Sequence, residues 1–207
     1  PWSALFPQCG AIQVYSLPDM LDLMQTFLYL KAPAGRRTAV IGGGGGASVI
    51  AADDCFAAGL QLPPLYTKVR EDLARFTPSA GTSVRNPVDG NYPRRPHDLY
   101  TTIKIVAASP QIDMIISHVG LEFTLTLPKG RENLDIMVEG MIKVGRECGK
   151  PLAIVLRTSG APQSVQAATE LQDVCLRSGF PVFNSIGGAA LALSKFIKYH
   201  EERAPWE

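Results

Sequence analysis

Five consecutive glycines, Gly42 to Gly46, stand between the apolar run Ala39-Val40-Ile41 and an Ala-rich segment that begins Ala47-Ser48-Val49-Ile50-Ala51-Ala52-Asp53. A glycine turn lets the chain take positive φ and lets another group come close to the backbone. A helix starting there aims its first unpaired N–H groups, and the positive end of its dipole, into the same space. That combination is an anion site, most simply for phosphate, and its residues would be Gly43, Gly44, Gly45, Gly46, Ala47 and Ser48. The competing reading is a strand-to-helix connection with no ligand, although five glycines exceed what a connection needs. A poly-glycine run meets the dinucleotide pattern G-x-G-x-x-A trivially. Where that pattern wants an acidic strand end, about 20 residues on, stands the loop Gln61-Leu62-Pro63-Pro64-Leu65-Tyr66. An ATP-type P-loop is excluded because no Lys-Ser or Lys-Thr pair follows the last glycine.

Other residues carry chemistry with less support. His118, in Ser117-His118-Val119-Gly120, ends an apolar strand next to the glycine-loop strand. The crevice at strand C-termini is where open α/β sheets bind ligands, so His118 either touches the phosphate chemistry or is held in plain hydrogen bonds. Asp53 falls two turns into the helix, where it is expected to bond a neighbouring loop. Asn86 and Asp89 flank the turn Asn86-Pro87-Val88-Asp89-Gly90. They either cap their own backbone, as Asx side chains do in turns, or position the loop near the phosphate. Arg94, Arg95, Lys68 and Arg70 read as solvated charges without the interleaved aromatics of a nucleic-acid face. His97 reads as a helix-start residue and His200 as a solvent-facing one. No group of residues has metal-ligand spacing, and no catalytic residue is assigned.

Repeated strand–helix alternation must position these groups. Strands are expected at Thr38–Ile41, Thr82–Arg85, Ile112–Ser117, Pro151–Leu156 and Pro181–Phe183. Helices are expected after the glycine loop to Ala58, over Thr67–Phe76, from Pro96, and over Arg131–Cys148, Pro162–Arg177 and Gly187–Arg203. Leu99, Ile103 and Val106, then Leu134, Met137, Val138, Met141 and Val144, then Val165, Ala168, Leu171 and Cys175, recur at helical spacing and should face inward. Such alternation predicts an α/β, flavodoxin-like, doubly wound parallel sheet of five strands in the order 2-1-3-4-5. Ahead of it, Ser16-Leu17-Pro18-Asp19 opens a helix whose apolar face is Leu17, Met20, Leu21, Met24, Phe27 and Leu28, closed by Gly35. Residues 1–35 are thus a helical lead-in packed on the main domain, or the end of a preceding one.

At 207 residues the chain holds one substantial core. A net charge of +1 gives no electrostatic reason to expect nucleic acid or a membrane surface. No run is apolar over the length a bilayer needs and none has a signal-peptide pattern. Cys9, Cys55, Cys148 and Cys175 are scattered, which points to reduced thiols in a cytoplasm. The opening Pro1-Trp2, without Met, fits a piece of something longer.

Several phrases carry a family resemblance. Thr38-Ala39-Val40-Ile41 with the glycine loop, Ala51-Ala52-Asp53, Ala58-Gly59-Leu60 and Asn86-Pro87-Val88-Asp89 resemble one domain of the NDP-forming acyl-CoA synthetases. Its loops read approximately T-N-x-G-G-P-G, an Asp on the helix, and N-P-x-D. Asp113-Met114-Ile115-Ile116, Gly149-Lys150-Pro151-Leu152 and Gly179-Phe180-Pro181-Val182-Phe183 continue the match across nearly all of residues 36–200. Gln8, Gly10 and Val14 resemble the close of the family's preceding domain. The resemblance, shared with succinyl-CoA synthetase, implies a flavodoxin-like domain over residues 36–203 that turns one of two helix N-termini toward a phosphate. The parent reaction interconverts acyl-CoA, phosphate and ADP with the free acid, CoA and ATP through a phosphohistidine. Implied partners are the CoA-binding, phosphohistidine and ATP-grasp domains, with ATP or ADP, Mg and CoA used by the parent enzyme. None of these would be held by this chain alone, which should be inactive alone. The loop departs from the family pattern at Gly42-Gly43, where T-N would stand, and at Ala47-Ser48, where P-G would stand. Those changes leave open a non-catalytic anion-binding or assembly module of the same fold. If the chain is a piece of a longer protein, the apolar face of the helix Leu17–Leu30 and the crevice at the glycine loop would be covered by other domains, or by a homodimer.

Overall fold

The computed structural model describes residues 5–6 and 8–203, so Pro1 and Trp2 lie outside the described residues. Five parallel strands form one sheet in the order β2-β1-β3-β4-β5: β1 (Thr38–Gly42), β2 (Val88–Asp89), β3 (Met114–Gly120), β4 (Leu152–Arg157) and β5 (Val182–Phe183). The helices are α1 (Leu17–Tyr29), α2 (Gly45–Ala57), α3 (Thr67–Ala74), α4 (His97–Ala107), α5 (Leu121–Leu125), α6 (Gly130–Cys148), α7 (Pro162–Arg177) and α8 (Ile186–Arg203). The expected architecture and strand order are those observed. Among the described residues no helix is long and apolar enough to cross a membrane.

Central parallel strands are covered on both faces and so read as unbroken apolar runs. On one face Ala39, Ile41, Ile115 and Val119 pack with Leu99 and Ile103 of α4 and with Leu134 and Met141 of α6. On the other, Val40, Met114 and Ile116 pack with Ala51 and Cys55 of α2 and with Ala189 and Leu193 of α8. The inward faces expected for α4 and α6 are the buried ones. In α7 the buried side chains are Ser164, Ala167, Leu171 and Cys175, while Val165 is exposed. Leu171 and Cys175 face inward as expected, while in the first two turns Ser164 and Ala167 replace Val165 and Ala168, the Ser164 hydroxyl bonding inward to Glu122 and Thr158.

The second strand is the main correction. Thr82–Arg85 does not join the sheet; Val88 and Asp89 pair with Ile41 and Gly42 instead. Ser83 folds back on Asp89 in an isolated antiparallel bridge, with N–H···O distances of 2.8 and 2.9 Å. Pro87 lacks an N–H, so backbone pairing cannot extend toward Asn86. The Asn86 side chain substitutes for that pairing: its Oδ1 accepts from Val40 N at 3.0 Å, and its Nδ2 donates to Thr38 O at 2.8 Å and Pro63 O at 3.1 Å.

Helix α1 begins as expected, with the Ser16 hydroxyl accepting from Asp19 N at 3.2 Å. It ends at Tyr29 rather than near Gly35, with Leu30 already extended at φ −104° and ψ 145°, and Pro33 disfavours a return to helical backbone at Ala32. Gly35 serves a close approach to Asp113, whose Oδ2 a β-carbon there would meet at 2.7 Å. The packed face of α1 is Leu23, Thr26 and part of Phe27, which meets the Phe196 ring of α8 edge-on at 4.7 Å. Leu17, Leu21, Met24 and Leu28 therefore stand exposed. At the sheet edge Gln25 Oε1 accepts from Val182 N at 2.9 Å, so α1 covers an open β5 amide.

Candidate functional site

Strand β1 delivers the chain to Gly43 and Gly44, and α2 starts at Gly45. Gly44 turns the corner at φ 104°, a conformation that favours glycine, while Gly45 and Gly46 show no positive φ. The first amides of α2, on Gly45, Gly46 and Ala47, have no intrahelical partner. The next, Ser48 N, closes onto Gly44 O at 3.0 Å. A cavity of about 530 Å³ opens at the C-terminal edge of the sheet, lined by Gly43, Gly44, Gly46 and Ala47. Ser48 is buried, and its hydroxyl returns to Gly44 O at 3.4 Å instead of facing the cavity.

Asp89 holds the turn. Its Oδ1 accepts the Gly44 N–H at 2.8 Å, so that amide is not free for a ligand. Burial pushes the Asp89 carboxyl up, against the opposing effect of the Gly44 N–H. Asn86 and Asp89 thus bond β1 and the glycine loop rather than capping their own backbone. Asp53 lies exposed on α2 and its side chain has no hydrogen bond among the described residues, contrary to the loop contact expected of it.

His118 pairs with Gly42 in the β1–β3 register, and its ring occupies the space above that glycine. A β-carbon on Gly42 would lie 2.2–2.4 Å from three of its ring atoms. His118 is 1% exposed, lines the cavity, and has no hydrogen-bond partner on either ring nitrogen among the described residues. The plain hydrogen-bonding reading therefore fails. Burial first, and the Arg157 charge second, push its pKa down to about 3. Folding thus holds the imidazole neutral. The associated stability is whole above the ordinary 6.5 and is lost as pH falls toward about 3. In urea unfolding, stability should fall ever more steeply below pH 6.5 from this one group, approaching a limiting slope of about 1.4 kcal/mol per unit near pH 5. His118→Gln should flatten that slope, and an unchanged slope would refute the assignment.

Sequence reasoning missed two residues, Arg157 at the end of β4 and Glu122 in α5. Arg157 lines the cavity beside His118, with its Nη2 at 3.5 Å from Gly43 O and its Nε buried without a partner among the described residues. Glu122, in α5, accepts from Thr158 Oγ1 at 2.7 Å, from Ser164 Oγ at 2.6 Å and from both the amide and hydroxyl of Ser159. Burial would raise its pKa, but the hydroxyls of Ser164 and Thr158 and the Ser159 amide hold it at about 2. That anion ties the β4–α7 loop to α5 and adds negative potential near Arg157. A signal was available for Arg157, since a charge ends an otherwise apolar strand where α/β sheets bind ligands. None marked Glu122, because its partners lie 36 to 42 residues away. Arg94, expected to be merely solvated, lies at the cavity rim over the Phe123 ring, 5.9 Å from its centroid.

Residues 38–184 match the Ligase-CoA domain family. Among curated relatives, the alpha subunit of acetate–CoA ligase (ADP-forming) II from Pyrococcus furiosus is 30% identical over 203 residues, covering 95% of this chain and 41% of that protein. The 4-hydroxybutyrate–CoA ligase (ADP-forming) of Nitrosopumilus maritimus is 23% identical, covering 97% of this chain and 26% of that protein. Among solved structures, PH0766 from Pyrococcus horikoshii OT3 superposes with a TM-score of 0.84 at 24% identity, covering 98% of this chain and 44% of that one. The dinucleotide-forming acetyl-coenzyme A synthetase 1 of Ca. Korarchaeum cryptofilum, solved with phosphate and ADP, superposes at 0.77 and 20% identity over 98% of this chain and 41% of its own. The two superpositions bear on the fold. The chain spans less than half the length of each of these proteins.

Proposed function

The chain belongs to the Ligase-CoA domain family, and from that premise we propose that it is the phosphate-facing domain of an NDP-forming acyl-CoA synthetase. The parent enzyme would interconvert acyl-CoA, phosphate and ADP with the free acid, CoA and ATP through a phosphohistidine carried on another domain. The observation that carries this reading is the start of α2. Its unpaired amides of Gly46 and Ala47 line a cavity at the C-terminal edge of the sheet that Arg157 also lines. Oriented amides and a cation, fixed before the reaction, stabilise charge on a phosphoryl group without reorganising. Gly43 to Ala47 form the phosphate cradle in this reading. Ser48, Asn86 and Asp89 keep its shape, and Asp53 is left at the surface for a neighbouring domain.

Residues 1–35 would close the preceding domain and residues 36–203 form this one. The CoA-binding, phosphohistidine and ATP-grasp domains would supply the remaining parts, along with CoA and the nucleotide with its Mg. Among the described residues no group of His, Cys, Asp and Glu is placed to hold a metal ion. The free thiols Cys9, Cys55, Cys148 and Cys175 suit a reducing cytoplasm. One observation favours the alternative of a non-catalytic module: Asp89 places a carboxyl beside the proposed anion site.

Isothermal titration of the chain with phosphate, ADP and CoA tests the proposal. Weak phosphate binding is expected, with no measurable heat from ADP or CoA. Tight nucleotide or flavin binding would overturn both readings in favour of a free-standing flavodoxin-like protein.

A further inference from the structure

The cavity offers a ligand both hydrogen-bond donors and acceptors. The donors are the helix-start amides of Gly46 and Ala47 and the Arg157 guanidinium, whose Nε is buried without a partner among the described residues. The acceptor is Asp89: its Oδ1 is taken by Gly44 N, and its Oδ2 accepts no hydrogen bond among the described residues. Behind them sits His118, 1% exposed and unpartnered on both nitrogens among the described residues. A neutral imidazole carries one N–H to give. Leaving such a group buried and unsatisfied is costly, and a ligand oxygen in the cavity would relieve it.

A fully deprotonated tetrahedral anion such as sulfate suits only the donors. It brings nothing that Asp89 can accept and sets its own charge against the carboxylate. Hydrogen phosphate keeps an O–H at neutral pH while offering the same oxygens. We propose that this cavity selects a tetrahedral oxyanion that still carries a hydroxyl, hydrogen phosphate over sulfate, with Asp89 Oδ2 accepting that hydroxyl. His118 gives its N–H to a second oxygen, and Arg157 with the Gly46 and Ala47 amides holds the others. The inference rests on the phosphate-facing reading and deepens it, because it names the protonation state of the substrate and the side chain that recognises it.

Titration of the isotope-labelled chain with sodium phosphate and with sodium sulfate, at pH 7 and equal ionic strength, tests this by NMR. Phosphate should bind at least tenfold more tightly, moving the Gly46 and Ala47 amides together with the His118 imidazole signals. Asp89→Asn keeps an oxygen for Gly44 N but turns the second position from acceptor to donor. That variant should gain sulfate affinity and narrow the preference at least tenfold, a gain that a damaged fold would not produce. Equal binding of the two anions at shifted Gly46 and Ala47 amides, or a still His118, would overturn the inference and leave the phosphate-facing reading standing. Unmoved loop amides with either anion would overturn both.

Discussion

A full-length protein carrying Gly44→Val is expected to form its acid-labile phosphoenzyme from labelled ATP about 100-fold more slowly than wild type, or worse. Gly44 sits at φ 104° as the residue before α2. A side chain there costs roughly 1–2 kcal/mol in backbone strain, which a core with Ile41, Ile116 and Phe183 fully buried can bear. The turn would relax by moving the N-terminus of α2, and with it the amides that line the cavity. The fold should persist while the phosphoryl cradle is lost. Gly45→Val is the control on the neighbouring residue, because Gly45 has no positive φ and its β-carbon would meet only Asp89 Oδ2, at 3.6 Å. Its loss of rate should be much smaller. His118→Asn keeps a donor and an acceptor, and should still take up label if the phosphorylated histidine lies on another domain. Should His118→Asn abolish the label while Gly44→Val retains it, the centre of the site has been placed on the wrong residues.

Gly42→Ala is expected to destabilise the chain by up to about 3 kcal/mol, the upper range for an overfilled core. The new β-carbon would fall 2.2 Å from Cε1 of His118 and 2.3 Å from Nε2. Neither partner can move aside easily. Gly42 ends a strand buried along its whole length, and His118 is shut between that strand and the cavity. In a His118→Ala background the same substitution should cost little, since the obstructing ring is gone. Denaturant titration of the two single variants and the double variant gives the coupling directly. Residues that do not interact add to within about 0.5 kcal/mol, so a coupling below that value would show that the glycine and the ring are independent. The pairing also accounts for glycine where T-N stands in the family pattern, because the His118 ring already fills the volume a threonine at position 42 would need.

The sequence by itself determined the architecture, and it marked the glycine turn that lines the cavity. Alternating apolar runs and 3.6-residue periodicities are local signals, and each strand long enough to show one, β1, β3 and β4, is recognisable from its own residues. The glycine run marked the start of α2 for the same reason, since the backbone requirement is met by the residues that announce it. Strand β2 was not legible. It is two residues long, and the asparagine before it reaches β1 through its side chain, across 46 residues, in place of a backbone ladder. The face that α1 buries depended on where α8 and β5 lie, not on which of its own residues are apolar. Tertiary structure alone decided what the site holds. Asp89 closing on Gly44, the ring of His118 over Gly42, Arg157 beside both and Glu122 behind Arg157 come from four separate strands and helices. Each of those groups could have been solvated, paired or orphaned, and only their convergence at one sheet edge fixes charge, burial and hydrogen bonding. Backbone conformation is set by neighbours in sequence, whereas the chemistry of a buried polar group is set by neighbours in space.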